Sequence, residues 1–320
     1  MHYWQGLDSL KRVPPGSVLT VGNFDGMHLG HHSLLGRCRE LSCGQAPVVV
    51  MTFEPHPLVR LRPEFAPPRL TPPLVKARLL EEQGADILIE LPPDQAVLSI
   101  GAFEFFELLA NTLRVRHLVE GPDFNFGKGR EGNITKMRNW AAGTTMEVHT
   151  IDERSAVLTN LHVVEVRSSL IRWLIAYGRV RDAAICLGRP YMLRGVIVMG
   201  FQRGRLLGMP TANFDCGEQM VPADGVYAGR CKVDGVSYPA GVSIGTLPTF
   251  DGTKRQVEAH LLGFDGDLYG QTLELELIDF LRDQVKFSDV EQLKKKMWRD
   301  METCRKLADT DPAMPIRAMV

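Results

Sequence analysis

The sequence predicts a two-domain protein, in which an α/β domain built on a parallel sheet precedes an all-β domain that ends in a helix. The chain has 320 residues, which at about 150 residues per domain corresponds to roughly two domains. Up to about residue 187, short β-branched runs alternate with helical patterns, as in a parallel sheet flanked by helices. Beyond Gly188, many short strand-like runs separated by Gly, Asp and Pro are typical of a barrel or sandwich.

The first half is predicted to contain five strands with two helical patterns between them, besides the helix that follows segment 22–31 and the helices over 168–187. The strand-like runs are 18–21, 48–52, 87–91, 117–119 and 146–149, and the helical patterns are 74–83 and 103–113. Thr71 and the two prolines after it suit the cap and first turn of the first helix. The Pro-rich segment 55–73 predicts irregular structure, a mobile flap beside the active site.

The second half is predicted to contain five strands and a final helix. The strand-like runs are 193–198, 226–233, 236–244, 256–262 and 272–278. Ser288 is a good N-cap with Glu291 three residues later, and this capping-box pattern predicts a helix that runs to about Leu307.

Composition limits the classes of partner. Lys plus Arg number 37 against 38 Asp plus Glu, a formal net charge of -1, so no basic field favours a nucleic acid or an anionic membrane as partner. The six cysteines lack C-x-x-C pairs and are too sparse for a disulfide scaffold, which favours reduced thiols. The first thirty residues do not have the pattern of a secretion signal. We therefore expect a cytoplasmic protein, and no pattern specifies an oligomeric state.

The most informative segment is 22–31, which reads GNFDGMHLGH and lies between a predicted strand and a predicted helix. Its glycines allow sharp turns and a close approach of the backbone to a ligand. The helix would direct its N-terminal amides and positive dipole end at an anion such as a phosphate. His28 and His31 could then donate to charge that builds on a reacting phosphate. Alternatively, the two imidazoles only line the turn, or they form a metal site with Asp25 and His32.

At these residues the chain resembles the bacterial bifunctional riboflavin kinase/FAD synthetase family, whose adenylyltransferase module carries G-N-F-D-G-x-H-x-G-H. Further segments match the family in order along the chain: 52–57, 121–127, 187–191, 204–213, 224–227, 244–250, 257–262 and 280–283. The resemblance implies a Rossmann-like nucleotidyltransferase domain at 1–185, acting as FMN adenylyltransferase. It also implies a riboflavin kinase domain at 186–320, a Greek-key β-barrel with a terminal helix.

For the first domain, the resemblance implies that His28 and His31 stabilise the transition state on the α-phosphate. The implied ATP- and flavin-binding residues are Gly22, Asn23, Phe24, Asp25, Gly30, Asp123, Phe124, Ser168, Ser169 and Arg172. The family usually carries I-S-S-T-x-I-R where this chain reads VRSSLIR at 166–172, so Arg167 and Leu170 depart from the pattern. From the residues alone, an ordinary solvated side chain is the favoured interpretation of Arg172, because surface arginines greatly outnumber those that bind phosphate.

For the second domain, the resemblance implies that Glu258 is the base for the ribityl hydroxyl and that Thr211 and Asn213 hold Mg²⁺. On an extended strand these two side chains point the same way, and their oxygens suit that ion. The implied ATP-binding residues are Gly200, Gly204, Arg205, Gly208, Pro210, Thr211 and Asn213, and Arg282 is implied for the flavin. Without the resemblance, Glu258 could be a surface residue of an edge strand. Ser243 and Met209 stand where the family often has Asn and Phe.

The implied function is a two-step synthesis in which ATP phosphorylates riboflavin to FMN and a second ATP adenylylates FMN to FAD. Two alternatives stay open. A monofunctional nucleotidyltransferase would explain residues up to about 185 but not Thr211, Asn213 and Glu258. A flavin-binding regulator would need a pocket but not His28 and His31 as well.

Overall fold

The computed structural model describes residues 1–200, 208–249, 252–285 and 288–308. The chain divides into two compact units, which are described separately. The first contains Met1–Pro67 and Thr71–Ser155, and the second contains Pro68–Leu70 and the described residues from Ala156 onward. This packing boundary lies about thirty residues before the functional boundary predicted at 185/186, which stays a prediction.

The first unit is a six-stranded sheet in the order β1-β4-β3-β2-β5-β8, in which every neighbouring pair is parallel. Its strands and those of a small hairpin are β1 (His2–Gln5), β2 (Val18–Val21), β3 (Val48–Phe53), β4 (Ile87–Leu91), β5 (His117–Glu120), β6 (Asn125–Phe126), β7 (Gly132–Asn133) and β8 (Glu147–Thr150). Its helices are α1 (Leu29–Ser42), α2 (Leu58–Leu61), α3 (Pro73–Glu82), α4 (Gln95–Leu98), α5 (Ala102–Glu107) and α6 (Ile134–Ala141). The predicted parallel sheet with helices is confirmed.

Alternate residues of the central strands face opposite helical layers, as expected for a sheet buried on both sides. On one face, Val18 and Val50 pack with Leu35 of α1. On the other, Leu19 and Met51 belong to the core that contains the aromatic residues of α5. The helix predicted over 103–113 is α5 continued by a π-helical turn, Leu108–Thr112.

Two local predictions in this unit were wrong. The segment 55–73 is not irregular throughout, because it contains α2 and a 3₁₀ turn at Pro63–Phe65. Thr71 is not the cap of α3, which begins after Pro72 without a side-chain cap. Instead, the Thr71 hydroxyl accepts from the amide of Gly26 at 3.2 Å, so the loop after β2 uses this side chain. Strand β1 was not predicted, since its four residues acquire strand structure only by pairing with the distant β4.

The second unit is built on a closed barrel in the order β11-β12-β15-β14-β13-β16. Its strands, with the preceding hairpin β9–β10, are β9 (Ser155–Val157), β10 (Val163–Glu165), β11 (Tyr191–Val198), β12 (Ala212–Asp215), β13 (Gly225–Val233), β14 (Val236–Thr249), β15 (Gly252–Leu261) and β16 (Thr272–Arg282). Its helices are α7 (Ser168–Ala176), α8 (Val180–Leu187) and α9 (Val290–Leu307). The predicted barrel with a terminal helix is confirmed.

Two details of this unit differ from expectation. The N-cap of the final helix is Asp289 rather than Ser288, because the Asp289 carboxylate accepts from the amide of Gln292 at 2.8 Å. Strand β12 was not among the predicted strand-like runs, although Thr211 and Asn213 were expected on an extended strand; its four residues include the polar Asn213, and Thr211 lies just before it. This short strand nevertheless completes the barrel between β11 and β15.

Candidate functional sites

The first site lies where the order of the parallel sheet reverses, between β2 and β5. In the sheet, β2 lies between β3 and β5. The next strand in the chain is β3, whereas β5 comes much later in the sequence. At such a point the loops that leave the carboxyl ends of the two strands diverge and leave a crevice that takes ligands. Here those loops are 22–28, which leads into α1, and 121–127.

The loop after β2 is held in an unusual backbone conformation by its own buried side chains. Phe24 and Met27 both have positive φ, 48° and 44°, a region that non-glycine residues rarely adopt. Their side chains are almost completely buried in the core beside α1. Gly26, with φ 91°, completes the turn. Burial of two large side chains therefore stabilises a strained loop, as at many ligand-binding sites.

His28 and His31 lie together at the N-terminus of α1. Their rings stack with centroids 3.7 Å apart and an interplanar angle of 19°. His28 is the N-cap of α1, and its backbone amide donates to Nδ1 of His31 at 3.3 Å. A neutral His31 ring whose Nδ1 accepts must carry its proton on Nε2, which is then a donor. Gly30, in the first turn of α1, adds no side chain over the N-terminal amides.

Asn23 and Asp25 are fixed by two residues that were not predicted to contribute to this site, His56 and Thr71. The Asn23 amide Nδ2 lies 3.2 Å from Nε2 of His56. Asp25 Oδ1 accepts from the amide of Thr71 at 2.9 Å. Asn23 Oδ1 is buried and has no hydrogen-bond partner among the residues that the structure describes. An acceptor that folding has already removed from water is suited to a donor group on a ligand.

Glu120, the last residue of β5, is a further residue that the sequence analysis did not single out. It is only 2% exposed, and its Oε1 accepts from the amide of Val21 at 2.7 Å. The β2–β5 ladder pairs only Val18 with His117 and Leu19 with Leu118, so the side chain bonds an amide that lies beyond the ladder. Burial raises the pKa of Glu120 well above its usual range. The hydrogen bond from the Val21 amide lowers this pKa, and the negative charge of Asp123 raises it.

The loop after β5 contains Asp123 and Phe124. Asp123 Oδ1 approaches Gly121 closely, since a Cβ at Gly121 would lie 3.0 Å from it. Phe124 is partly buried and stacks on Phe126 at 5.2 Å. Phe126 is buried in the core, where it packs on Phe105. Phe124 is therefore the ring of this pair that the fold leaves partly exposed.

The remaining residues implied for adenylyl transfer belong to the second unit. Ser168 and Ser169 form the first turn of α7, and Arg167, its N-cap, forms an ion pair with Glu165 at 2.9 Å. Arg172 donates from Nε to the carbonyl of Pro68 at 2.8 Å. Their assignment to the triphosphate stays a prediction.

In the barrel, Asn213 and Glu258 are paired across neighbouring strands. Asn213 of β12 lies opposite Glu258 of β15, which in turn lies opposite Ser243 of β14. Directly paired residues project from the same face of a sheet, with Cβ atoms about 4.5–5.5 Å apart. Thr211 lies two residues before Asn213 and lines a cavity beside β12. The fold thus groups four polar residues that are up to 47 positions apart in sequence.

Gly200 is required by the packing around Asn213. A Cβ at Gly200 would lie 2.2 Å from the Asn213 side-chain nitrogen, well inside any real contact. The Asn213 carbonyl oxygen is fixed from another side by Gln256, whose Nε2 donates to it at 2.5 Å. His260 fixes the preceding turn, since its Nδ1 donates to the carbonyl of Pro210 at 2.8 Å. Neither Gln256 nor His260 was identified from the sequence, because their roles follow from strand register.

A cavity of about 630 Å³ opens beside Thr211, and its lining includes Ala212 and Ala259, the strand pair that faces away from Asn213 and Glu258. Pro210 and Thr211 line one side of it, and a loop that carries Phe264 and Tyr269 lines another. Its volume is within the range of about 300–1,000 Å³ that is usual for small-molecule sites. Gly208, with φ 77°, makes the turn that leads into this strand. Gly204 and Arg205, also predicted to bind ATP, lie outside the described residues.

Arg282 is engaged with the final helix. Its Nε and Nη2 donate to Asp300 of α9 at 2.9 and 2.7 Å, and Nη1 donates to the carbonyl of Asp283. Both partners of this ion pair are largely buried. The pair therefore anchors α9 to the end of β16, while flavin binding by Arg282 stays a prediction.

Within the described residues, no helix combines the length and apolar character needed to cross a membrane. Two protein families match the chain: FAD synthetase over residues 10–161 and riboflavin kinase over residues 187–308.

Individual relatives match nearly the whole chain. A bifunctional riboflavin kinase/FMN adenylyltransferase from Escherichia coli K12 is 37% identical over 94% of this chain and 96% of its own. The protein of that name from Pseudomonas fluorescens is 35% identical, with 96% and 98% covered. The solved structure of a macrolide-efflux protein from Streptococcus pneumoniae superposes with a TM-score of 0.85 and 30% identity, covering 95% of this chain and 99% of that one.

Proposed function

Because the chain belongs to the family of bifunctional riboflavin kinase/FMN adenylyltransferases, and so makes FMN from riboflavin and FAD from FMN with ATP, we propose that two separate residue sets carry the two reactions. One observation carries this division: His28 and His31 lie in the first compact unit, whereas Asn213 and Glu258 lie in the second. We assign adenylyl transfer to residues 1–185 and riboflavin phosphorylation to residues 186–320.

In adenylyl transfer, a phosphate oxygen of FMN attacks the α-phosphorus of ATP, and the bond from that phosphorus to the bridging oxygen breaks as pyrophosphate leaves. Negative charge builds on the α-phosphate oxygens and on the leaving group, so fixed donors lower the barrier. The His31 Nε2–H and the N-terminal amides of α1 are such donors. His28, stacked on His31, fixes the orientation of that ring and supplies a second imidazole. Neither ring has to act as a nucleophile.

The crevice at the switch point accounts for the other residues of the first unit that are proposed for this site. The buried Oδ1 of Asn23 accepts a donor of the nucleotide or flavin, and the partly exposed ring of Phe124 packs against the flavin. Gly22 and Gly30 keep the backbone accessible. Asp25 organises the loop through Thr71, while Asp123 lies in the opposite loop. Ser168, Ser169 and Arg172 are proposed to bind the triphosphate of ATP.

In the kinase reaction, the ribityl hydroxyl oxygen attacks the γ-phosphorus of ATP and ADP leaves. Glu258 takes the hydroxyl proton, and this general-base step contributes about 10²- to 10⁴-fold in rate. Glu258 is half-buried on the sheet face that also carries Asn213 and Ser243. Ser243 keeps a hydroxyl beside the carboxylate. The cavity beside Thr211 is proposed to take the nucleotide, with Phe264 and Tyr269 as flat surfaces for its base.

The donor set beside Glu258 fits Mg²⁺. Thr211 offers a hydroxyl and Asn213 an amide oxygen, and Mg²⁺ prefers oxygen ligands of this kind together with phosphate oxygens. The Asn213 oxygen is held in place by Gln256, which leaves its second lone pair for an ion. Mg²⁺ bound there would neutralise charge on the β- and γ-phosphates.

The proposal extends to location and partners. All six cysteines lie in the described part of the chain and none forms a disulfide there, which fits a reducing cytoplasm. The net charge of -1 gives no reason to expect nucleic acid or membrane as partner.

Two variants of the full chain test the division of labour. Glu258→Gln keeps the size of the side chain and removes its basicity, so FMN formation should fall about 10²-fold or more while FAD is still made from added FMN. His31→Ala should lower FAD formation by about 10²-fold and let FMN accumulate. The assay separates riboflavin, FMN and FAD after incubation with ATP and Mg²⁺. His162→Ala, at an exposed imidazole, is the control. Loss of FAD formation from added FMN in Glu258→Gln, loss of FMN formation in His31→Ala, or wild-type rates of both reactions in either variant would refute the assignment.

A further inference from the structure

A second group of histidines lies on the first unit's sheet, at the edge strand β8. His117 begins β5, Glu147 begins β8 and is paired with it, and His149 follows two residues along β8. The pairing places all three side chains on one face of the sheet. This group takes no part in either proposed reaction.

The three side chains converge on a single point. His117 Nδ1 and His149 Nε2 lie 3.1 Å apart. Glu147 Oε2 lies 3.6 Å from the first nitrogen and 3.8 Å from the second. Both carboxylate distances are too long for hydrogen bonds. Oε2 therefore faces two ring nitrogens while bonding directly to neither.

These separations match those of ligands around one metal ion. Ligands bound to Zn²⁺ at about 2.0–2.1 Å in tetrahedral geometry lie about 3.3 Å from one another. Two imidazoles and one carboxylate are a common ligand set for zinc, with an open fourth position. The Glu147 side chain is 49% exposed, whereas His117 and His149 are mostly buried, so water can occupy that position from the carboxylate side.

A fixed partner orients the carboxylate. Arg116 donates from Nη2 to Glu147 Oε1 at 2.6 Å and from Nη1 to the carbonyl of Thr145 at 2.6 Å. This contact directs the other oxygen, Oε2, at the two imidazoles. Metal sites commonly hold their ligands by such outer contacts.

We propose that His117, Glu147 and His149 bind a divalent transition-metal ion, Zn²⁺ in particular, through one nitrogen of each histidine and one carboxylate oxygen. Mg²⁺ is excluded by its preference for oxygen ligands. The bound ion cross-links β5 to the exposed edge strand and stabilises the first unit, because it binds the folded arrangement only. The alternative is a plain hydrogen bond between the two imidazoles.

The test is metal binding by the full chain, stripped with a chelator and dialysed against Zn²⁺ in excess Mg²⁺. The wild type should retain one more zinc per chain than His149→Gln or Glu147→Gln, each of which should bind at least about tenfold more weakly. Zn²⁺ should also raise the melting temperature of the first unit in the wild type, but not in the two site variants. Co²⁺ in the same site should give the strong visible absorption of four-coordinate cobalt.

Control variants distinguish zinc bound at this site from zinc bound by other exposed side chains. His162→Gln and Cys43→Ser remove exposed metal ligands elsewhere and should bind zinc like the wild type. Both enzyme activities of the two site variants, measured without zinc, should equal those of the stripped wild type, which shows that they are folded. Equal zinc content in the wild type and His149→Gln, or none in either, would overturn the proposal and leave the hydrogen bond.

Discussion

Substitution of Glu120 by Gln tests the cause of the buried carboxyl's raised pKa. Glutamine has nearly the same shape, and its carbonyl oxygen can accept from the amide of Val21 as Glu120 Oε1 does at 2.7 Å. The amide cannot ionise. The substitution therefore keeps the hydrogen bond and removes only the requirement to bury a charge or hold a proton.

The sign follows from proton linkage. Burial raises the pKa of Glu120 in the folded chain, so above the pKa of the unfolded chain the native state holds a proton that the unfolded state has lost. The wild type then loses stability as pH rises, by up to about 1.4 kcal/mol per pH unit, until the native pKa is reached. Glu120→Gln lacks this slope. The stability that Glu120→Gln gains over the wild type should be smallest near pH 4.5, the ordinary pKa of a glutamate. This difference should grow with pH and become constant above the pKa of Glu120 in the native state.

Unfolding of a chain with two units is not two-state, so a measurement specific to the first unit is needed. Hydrogen exchange, measured by mass spectrometry on peptides that contain residues 18–21, reports on that unit. The protection of Glu120→Gln divided by that of the wild type should rise by up to about tenfold per pH unit. Glu82→Gln, at an exposed carboxylate of the same unit, should show no such trend. A ratio independent of pH, or protection lower than wild type throughout, would show that the buried carboxyl does not hold a proton in the native state.

Two further predictions concern the second unit. Gly200→Ala places a Cβ 2.2 Å from the Asn213 amide and should displace it, so riboflavin phosphorylation should fall at least tenfold while FAD formation from added FMN stays near wild type; equal kinase rates would contradict the role of Asn213. A fragment that begins at Ala156 keeps α7 and α8, whose buried apolar side chains contribute about 1.5–3 kcal/mol each, and should melt well above one that begins after α8. Indistinguishable melting temperatures, by circular dichroism, would show that α8 does not support the barrel.

The sequence patterns were sufficient for elements whose signal is local. The central strands of both units are apolar runs or alternations, and these were predicted to within a few residues. Strands β1 and β12 were missed because each is short and acquires its structure by pairing with a distant strand. Thr71 was predicted as a cap because sequence shows neighbours along the chain, whereas its hydroxyl bonds Gly26, 45 positions away.

The same distinction applies to the candidate sites. His28 and His31 are close in sequence on one helical turn, so their juxtaposition could be expected. The pairing of Asn213 with Glu258 depends on barrel register, which the matched motifs implied but spacing alone could not. His56 lies in a matched motif, and its contact with Asn23 gives it a structural reason. Glu120 had no signal, since a single acidic residue at a strand end is ordinary.

The short pairing between β2 and β5 determines how much room the first site has. The two strands are in register over two residue pairs only, and a side chain rather than backbone joins them further on. A ladder that continued to the strand ends would carry the chain through the space between the loops. The early end of the ladder therefore leaves the backbone of the two loops free to diverge. Side-chain changes in the two loops can adjust which ligand fits, whereas the point at which the strands part sets the backbone limits of the crevice.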